Sequence, residues 1–282
     1  MKRRTQLLIF IPLILLGGIV IGLFGVVLLD VYAGASATDS ANHVFELPDG
    51  RDVQAFVARP PQAFLDEAGD LPVVMMFHEW WGLNAEIAAL ATLLSFDGYV
   101  VVVPDVYTGR VARTVPGALA LRLTADMERI RADMVAVREA LGGLEYADDT
   151  RTAGIGFCFG GDVVMDLVTE VPSDFVATVT LYGGLRPDPE DLRPLSGQGP
   201  VLGIFGETDP QIPLERVEAF GSALQTAMVD HRISVYPGVG HAFIQPDTLG
   251  DGGVVDEAWS ELRGFLRTYL DPVSRQITYE RK

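Results

Sequence analysis

The chain holds a single cysteine, Cys158, in 282 residues, set in Gly156-Phe157-Cys158-Phe159-Gly160-Gly161. A lone thiol closes no disulfide within its own chain. Glycines on both sides fit a sharp strand-to-helix turn, in which the central residue is strained and neighbouring side chains would collide. A helix starting behind the sulfur turns free N–H groups and its positive end toward it, which favours thiolate over thiol. The bland alternative is a small buried hydrophobe, the common fate of a free cysteine. A cysteine nucleophile needs a base, and the base needs an orienting acid. Downstream, GETDP sets Asp209 just past the apolar run VLGIF, and GVGHAF sets His241 in a glycine-flanked loop just past ISVYP. Asp209 would orient the imidazole and stabilise its cation, while His241 exchanges protons with the sulfur and a leaving group. Singly, His241 reads as a loop histidine and Asp209 as a helix cap before Pro210. Their joint order after Cys158, each past a strand's carboxyl end, argues for a triad.

A second stretch, HEWWGLN from His78 to Asn84, ends an apolar run with an acid, two tryptophans and a glycine ahead of a predicted N-cap, Asn84. A loop in this position supplies one oxyanion-hole N–H, here from Trp80, and the residue after the nucleophile, Phe159, supplies the other. Glu79 is the unusual member, because a carboxylate beside two indoles is poorly solvated: it is either exposed and structural or held near the thiol with its proton affinity tuned. Trp81 and Tyr107 are candidate walls of an apolar substrate pocket. No group of His and Cys has metal-ligand spacing, so neither a metal nor another cofactor is expected.

These residues need a scaffold that brings strand ends together. The runs HVFEL, VQAFVAR, LPVVMMF, YVVVVPD, TAGIGF, FVATVTLYGG, GPVLGIFGETD and RISVYPG read as strands. Helical patterns separate many of them: NAEIAALATLLSF, one long amphipathic segment from Ala118 to Leu144, FGGDVVMDLVTE, LERVEAFGSALQTAM and EAWSELRGFLRTYL. Continuous apolar strands alternating with helices predict an α/β domain, a mostly parallel sheet with helices on both faces, with chemistry beyond the strands' carboxyl ends. With no repeat or long linker from Asn42 onward, residues 38–282 read as one catalytic domain. A domain of about 240 residues buries about 70 to 75% of its unfolded surface and needs no disulfide.

A formal charge of −17 repels phosphates, so nucleic-acid binding is not expected. Residues 1–37 form a separate segment. After Lys2, Arg3 and Arg4, the stretch from Leu7 to Leu29 carries no charge and is mainly apolar. Its length favours an uncleaved transmembrane anchor; the small residues at Ala33 to Ala37 offer cleavage sites for a secretory signal, and a buried helix is the third reading. The basic cluster predicts that the remaining chain lies on the extracytoplasmic side, membrane-anchored or secreted. Oligomeric state has no signature in the sequence.

Together, HEWWGLN, VVVPDVY, GFCFGG, GETD and GHAF resemble the dienelactone hydrolase family, over about Asn42 to Leu270. The resemblance implies an α/β-hydrolase fold and a Cys158-His241-Asp209 triad. It also implies that Glu79 contacts the resting cysteine and helps ionise it when substrate enters. The family's pair of arginines that hold a substrate carboxylate is incomplete here. Arg110 falls one position late in PDVYTGR, and Gln245 stands where the second arginine would fall. The expected activity is therefore hydrolysis of an ester or lactone, activated enol-type esters above others, through an acyl-enzyme, and the dienelactone itself is not carried over. The competing expectation is a non-catalytic, membrane-tethered binding or redox-sensing module with Cys158 as a low-pKa thiol.

Overall fold

Four strands are buried at each of their residues: β3 (Leu71–Phe77), β4 (Val100–Pro104), β6 (Ala177–Leu181) and β7 (Val201–Gly206). A strand with no exposed side has both faces covered, which is why these runs lack polar alternation. Each fully buried Val, Leu, Ile, Met or Phe side chain in them contributes about 1.5 to 3 kcal/mol. The computed structural model describes residues 18, 19, 21–30 and 36–270. Among these, β1 (His43–Glu46), β2 (Asp52–Ala58), β5 (Ala147–Phe157) and β8 (His231–Tyr236) complete an eight-stranded sheet ordered β1-β2-β4-β3-β5-β6-β7-β8. The β1/β2 and β2/β4 pairs are antiparallel and all others parallel. This is the predicted mostly parallel sheet.

The order contains one reversal. From β3 the chain moves out to β4, then returns to lay β5 on the other side of β3, and β6 to β8 follow outward. Connections leaving β3 and β5 diverge, and a crevice opens at their carboxyl ends. The register sets Phe77 opposite Gly156, so the HEWWGLN loop and Cys158 emerge side by side.

The helices follow local signals with one correction. Asn84 caps α3 (Ala85–Ser95), its side chain accepting from the Glu86 and Ile87 N–H groups at 3.1 Å each. The segment predicted as continuous from Ala118 to Leu144 is instead two helices, α4 (Val115–Leu123) and α5 (Met127–Ala140). Between them the Thr124 hydroxyl bonds back to the Ala120 carbonyl at 2.8 Å, and the Asp126 carboxylate accepts from the Arg129 N–H at 3.1 Å. A stop and a fresh N-cap so close together outweigh the apolar periodicity running through them. In α9 (Val254–Leu270), Ala258, Leu262, Leu266 and Leu270 repeat every fourth residue and are buried, a stripe laid on the sheet.

Residues 21–30 are helical (α1) and end at Asp30, which is only 6% exposed. Its carboxylate accepts from the Arg113 N–H at 2.9 Å, the Thr114 N–H at 2.8 Å and the Thr114 hydroxyl at 2.7 Å, directly ahead of α4. Of the predicted membrane segment, residues 7–17 and 20 lie outside the described residues; among those described, no helix is long and apolar enough to cross a membrane.

Candidate active site

β5 ends at Phe157 and α6 (Phe159–Glu170) begins two residues later, leaving Cys158 alone in the turn at φ 52° and ψ −113°. A non-glycine residue in this region costs about 1 to 3 kcal/mol and persists only where its surroundings enforce it. Here they do. The Cys158 N–H donates to the Leu181 carbonyl at 3.0 Å, and its own carbonyl accepts from Gly161 at 2.9 Å. A Cβ on Gly156 would lie 2.1 Å from the Gly160 oxygen, and one on Gly160 would lie 2.2 Å from the Phe77 oxygen. The elbow glycines are therefore required by close approach, as their spacing predicts.

The three groups expected to form a triad converge. His241 Nε2 lies 3.1 Å from Cys158 Sγ, and its Nδ1 lies 2.7 Å from Asp209 Oδ2. The other Asp209 oxygen accepts from the Gln211 and Ile212 N–H groups at 2.8 and 3.1 Å. The carboxylate is thus held by its own turn before it meets the imidazole. The Tyr182 ring packs edge-on against His241, with centroids 5.3 Å apart. Phe159 and Trp80 line the cavity with Cys158, and their main-chain N–H groups favour the charged form of the sulfur.

Burial pushes the Cys158 thiol up to about 12, the charge of Glu79 adds to this, and the Phe159 and Trp80 N–H groups oppose it. The helix N-terminus therefore does not leave a resting thiolate, contrary to the expectation from sequence. Desolvation is the larger effect. Burial likewise raises Glu79 to about 7, with Glu86 contributing and hydrogen bonds from Tyr182 and Gln245 opposing. Tyr182 and Gln245 thus favour the charged form of Glu79, while the sulfur's side-chain hydrogen-bond partner is His241. Glu79 and Cys158 line the same cavity and are coupled through charge: an ionised Glu79 disfavours a thiolate beside it.

A cavity of about 530 Å³ opens over the sulfur, lined among others by Glu79, Trp80, Trp81, Leu119, Arg122 and Arg216. A larger hollow of about 950 Å³ lies between β8 and α9 and includes neither Cys158 nor the predicted partners, so size does not locate the chemistry. Two residues expected to bind substrate, Tyr107 and Arg110, are not in the lining. Tyr107 is 1% exposed and stacks flat on Phe159 at 5.3 Å, one layer behind the wall. Arg110 turns back, its Nε donating to the Tyr107 carbonyl at 3.1 Å. The Asp105 carboxylate explains both, because it binds the Tyr107 N–H at 3.0 Å and also the Gly109 N–H, tightening the turn away from the crevice. Arg122 from α4 and Arg216 from α8 (Leu214–Thr226) are the cavity's cations instead. Sequence reading missed both, since helical arginines look like any solvated face. It also missed Tyr182 and Gly183, whose only signal was the end of the strand beside β5. A Cβ on Gly183 would lie 2.0 Å from the Cys158 oxygen.

The dienelactone hydrolase family model matches residues 53–270. The chain belongs to the dienelactone hydrolase family. It is 32% identical to a "Putative carboxymethylenebutenolidase" of Salmonella typhimurium over 218 residues, covering 69% of this chain and 74% of that protein. A protein of the same name from Saccharolobus solfataricus is 26% identical, over 79% of this chain and 97% of its own. The crystal structure of a "Putative Dienelactone Hydrolase" from Klebsiella pneumoniae superposes with a TM-score of 0.70 at 25% identity, covering 80% of this chain and 98% of that one. This dienelactone hydrolase relative therefore has the α/β-hydrolase fold, with the Cys158–His241 contact and the Asp209–His241 bridge consistent with a Cys-His-Asp triad.

Proposed function

We propose that the chain is a carboxylic-ester hydrolase acting on esters or lactones with good leaving groups, with Cys158 as nucleophile. The observation that carries this reading is the unbroken line from the Asp209 carboxylate through both His241 nitrogens to the sulfur, at 2.7 and 3.1 Å. The relatives' shared name, carboxymethylenebutenolidase, supports a lactone as one substrate form.

Because the resting thiol is neutral, a base must act as substrate enters. His241 Nε2 takes the thiol proton, the sulfur adds to the substrate carbonyl, and Asp209 stabilises the imidazolium. The carbonyl oxygen becomes an oxyanion that accepts from the Trp80 and Phe159 N–H groups. His241 returns its proton to the departing oxygen, leaving a thioester on Cys158. Water, deprotonated by the same imidazole, adds to the thioester and releases the acid and the thiol. A thiolate leaves more readily than an alkoxide, so an ordinary alkyl ester lets the tetrahedral intermediate collapse back. An enol or phenol oxygen competes with sulfur, which favours activated esters. The apolar wall of Trp80, Trp81 and Leu119 suits the acyl or ring portion.

Burial pushes the Cys158 thiol up, whereas a redox sensor needs a lowered one, which favours the hydrolase reading over the sensing alternative. The uncharged length of Leu7 to Leu29 supports a membrane or export role for the N-terminal segment within this reading. The test is turnover of lactones, aryl esters and thioesters by the wild type and Cys158→Ala. A folded alanine variant without turnover is expected; one with wild-type rates removes the proposal.

A further inference from the structure

His78 directly follows β3, two residues before Trp80, is wholly buried, and is outside the cavity lining. Its Nδ1 lies 2.6 Å from the Glu79 carbonyl oxygen, and its Nε2 lies 3.3 Å from the Val106 N–H. A carbonyl only accepts and an amide N–H only donates, so Nδ1 carries the ring proton and Nε2 presents its lone pair. Asp105, 3.8 Å from Nε2, is consequently not its ion-pair partner and instead binds the Tyr107 and Gly109 N–H groups.

The Glu79 carbonyl and the Trp80 N–H are the two ends of one peptide plane, and no peptide bond among the described residues is cis. In a trans peptide these groups point in opposite directions. A donor that grips the carbonyl from one side therefore fixes where the N–H points on the other, and Trp80 lines the same cavity as Cys158, its N–H favouring the charged sulfur. The Gly82 N–H also reaches the Glu79 oxygen, at 3.3 Å, the longer of the two bonds.

We infer that His78 is a positioning residue for the oxyanion hole: its Nδ1–H fixes the Glu79–Trp80 peptide so that the Trp80 N–H meets the developing oxyanion. The inference rests on the hydrolase reading for its catalytic consequence, but the orientation of the peptide is measurable without turnover. In His78→Asn the amide nitrogen falls where Nδ1 was and keeps the donor. In His78→Phe the ring volume remains and the donor is lost.

Steady-state kinetics on an aryl ester, melting temperatures, and iodoacetamide labelling of Cys158 across pH test it on the full chain. His78→Phe is expected to lower kcat by about 10- to 100-fold with KM changed less than about threefold, because substrate binding does not use the oxyanion. Its labelling midpoint should move to higher pH, since the Trp80 N–H no longer supports the thiolate. His78→Asn should stay within about threefold of wild type in kcat and keep the wild-type midpoint. If His78→Phe does not fold, His78→Gln, whose amide nitrogen falls nearer Nε2, replaces it with the same expectation. Equal impairment of the Asn and Phe variants, or a folded Phe variant with wild-type kcat and labelling, overturns the inference. A labelling shift in a protein whose wild type hydrolyses no ester would remove the hydrolase reading and leave the positioning role standing.

Discussion

His78 follows β3 and His241 follows β8, each in a loop at the carboxyl edge of the sheet and each within two residues of a group that faces Cys158. Their surroundings differ in kind. The His241 side chain is 15% exposed, with a carboxylate on Nδ1 and a thiol on Nε2. His78 is sealed, with a main-chain carbonyl on Nδ1 and a main-chain N–H on Nε2. A carboxylate rewards the second ring proton and an exposed edge lets it come and go, whereas an N–H donor on Nε2 forbids it. One ring is built to change protonation during a turnover, and the other to keep a single tautomer throughout. Residue type does not make a catalytic base; the partners of its two nitrogens do.

The comparison breaks most visibly if the two sites respond alike to substitution. His241→Ala is expected to lower kcat/KM on an activated ester by about 10⁴-fold or more, as loss of the general base does in other triads. Asp209→Asn should cost about 10³- to 10⁴-fold, by leaving the ring without its orienting charge. Both are read from initial rates, and a loss at His241 no larger than that at His78 would erase the distinction drawn here.

Glu79 adjoins His78 in the chain and lines the cavity together with His241. Its ionisation opposes a thiolate at Cys158, so Glu79→Gln should move the iodoacetamide labelling midpoint to lower pH. The same substitution has a sign in stability. The carboxyl is raised from 4.5 to about 7, so ionising it in the folded protein costs stability that appears as pH rises from the lower value and is complete above the higher. Glu79→Gln should therefore melt higher than wild type at about pH 8, where the folded carboxylate is charged, and equally below its unfolded value, where both forms are neutral. Thermal unfolding at the two pH values decides it, and a difference of the opposite sign would show that the charge is compensated by Tyr182 and Gln245.

The smallest effect is expected at Asp30, outside the cavity lining. Asp30→Ala removes the carboxylate on the Arg113 and Thr114 N–H groups and should cost about 1 kcal/mol, the worth of a helix cap, seen as a lower melting temperature. Because α4 carries Leu119 and Arg122 into the cavity wall, the variant should raise KM and spare kcat. An unchanged KM would detach the N-terminal segment from the site.

The strands, the elbow and the order Cys158, Asp209, His241 are written in the sequence, because each is a local matter. Apolar runs declare strands buried on both faces, glycines beside Cys158 declare a close approach, and Asn84 declares a helix start. The break at Thr124 to Asp126 was legible only by weighing caps against periodicity, and the caps prevailed. What the tertiary structure alone decided is who meets whom and in which charge state. Cys158 and His241 are 83 residues apart in the chain and meet because β5 to β8 lie parallel, so the turn after β5 and the loop after β8 share one edge of the sheet; the reversal at β3 and β5 adds the loop of Glu79 and Trp80. No spacing rule reports that Tyr107 and Arg110 turn away, that Arg122 and Arg216 face the cavity, or that His78 grips a carbonyl. Protonation is the same kind of fact: desolvation sums over all atoms that exclude water from the sulfur, and the residues around it arrive from distant parts of the chain, the loop after β3, α4, the start of α6, the turn after β6, the stretch after Asp209 and the loop of His241.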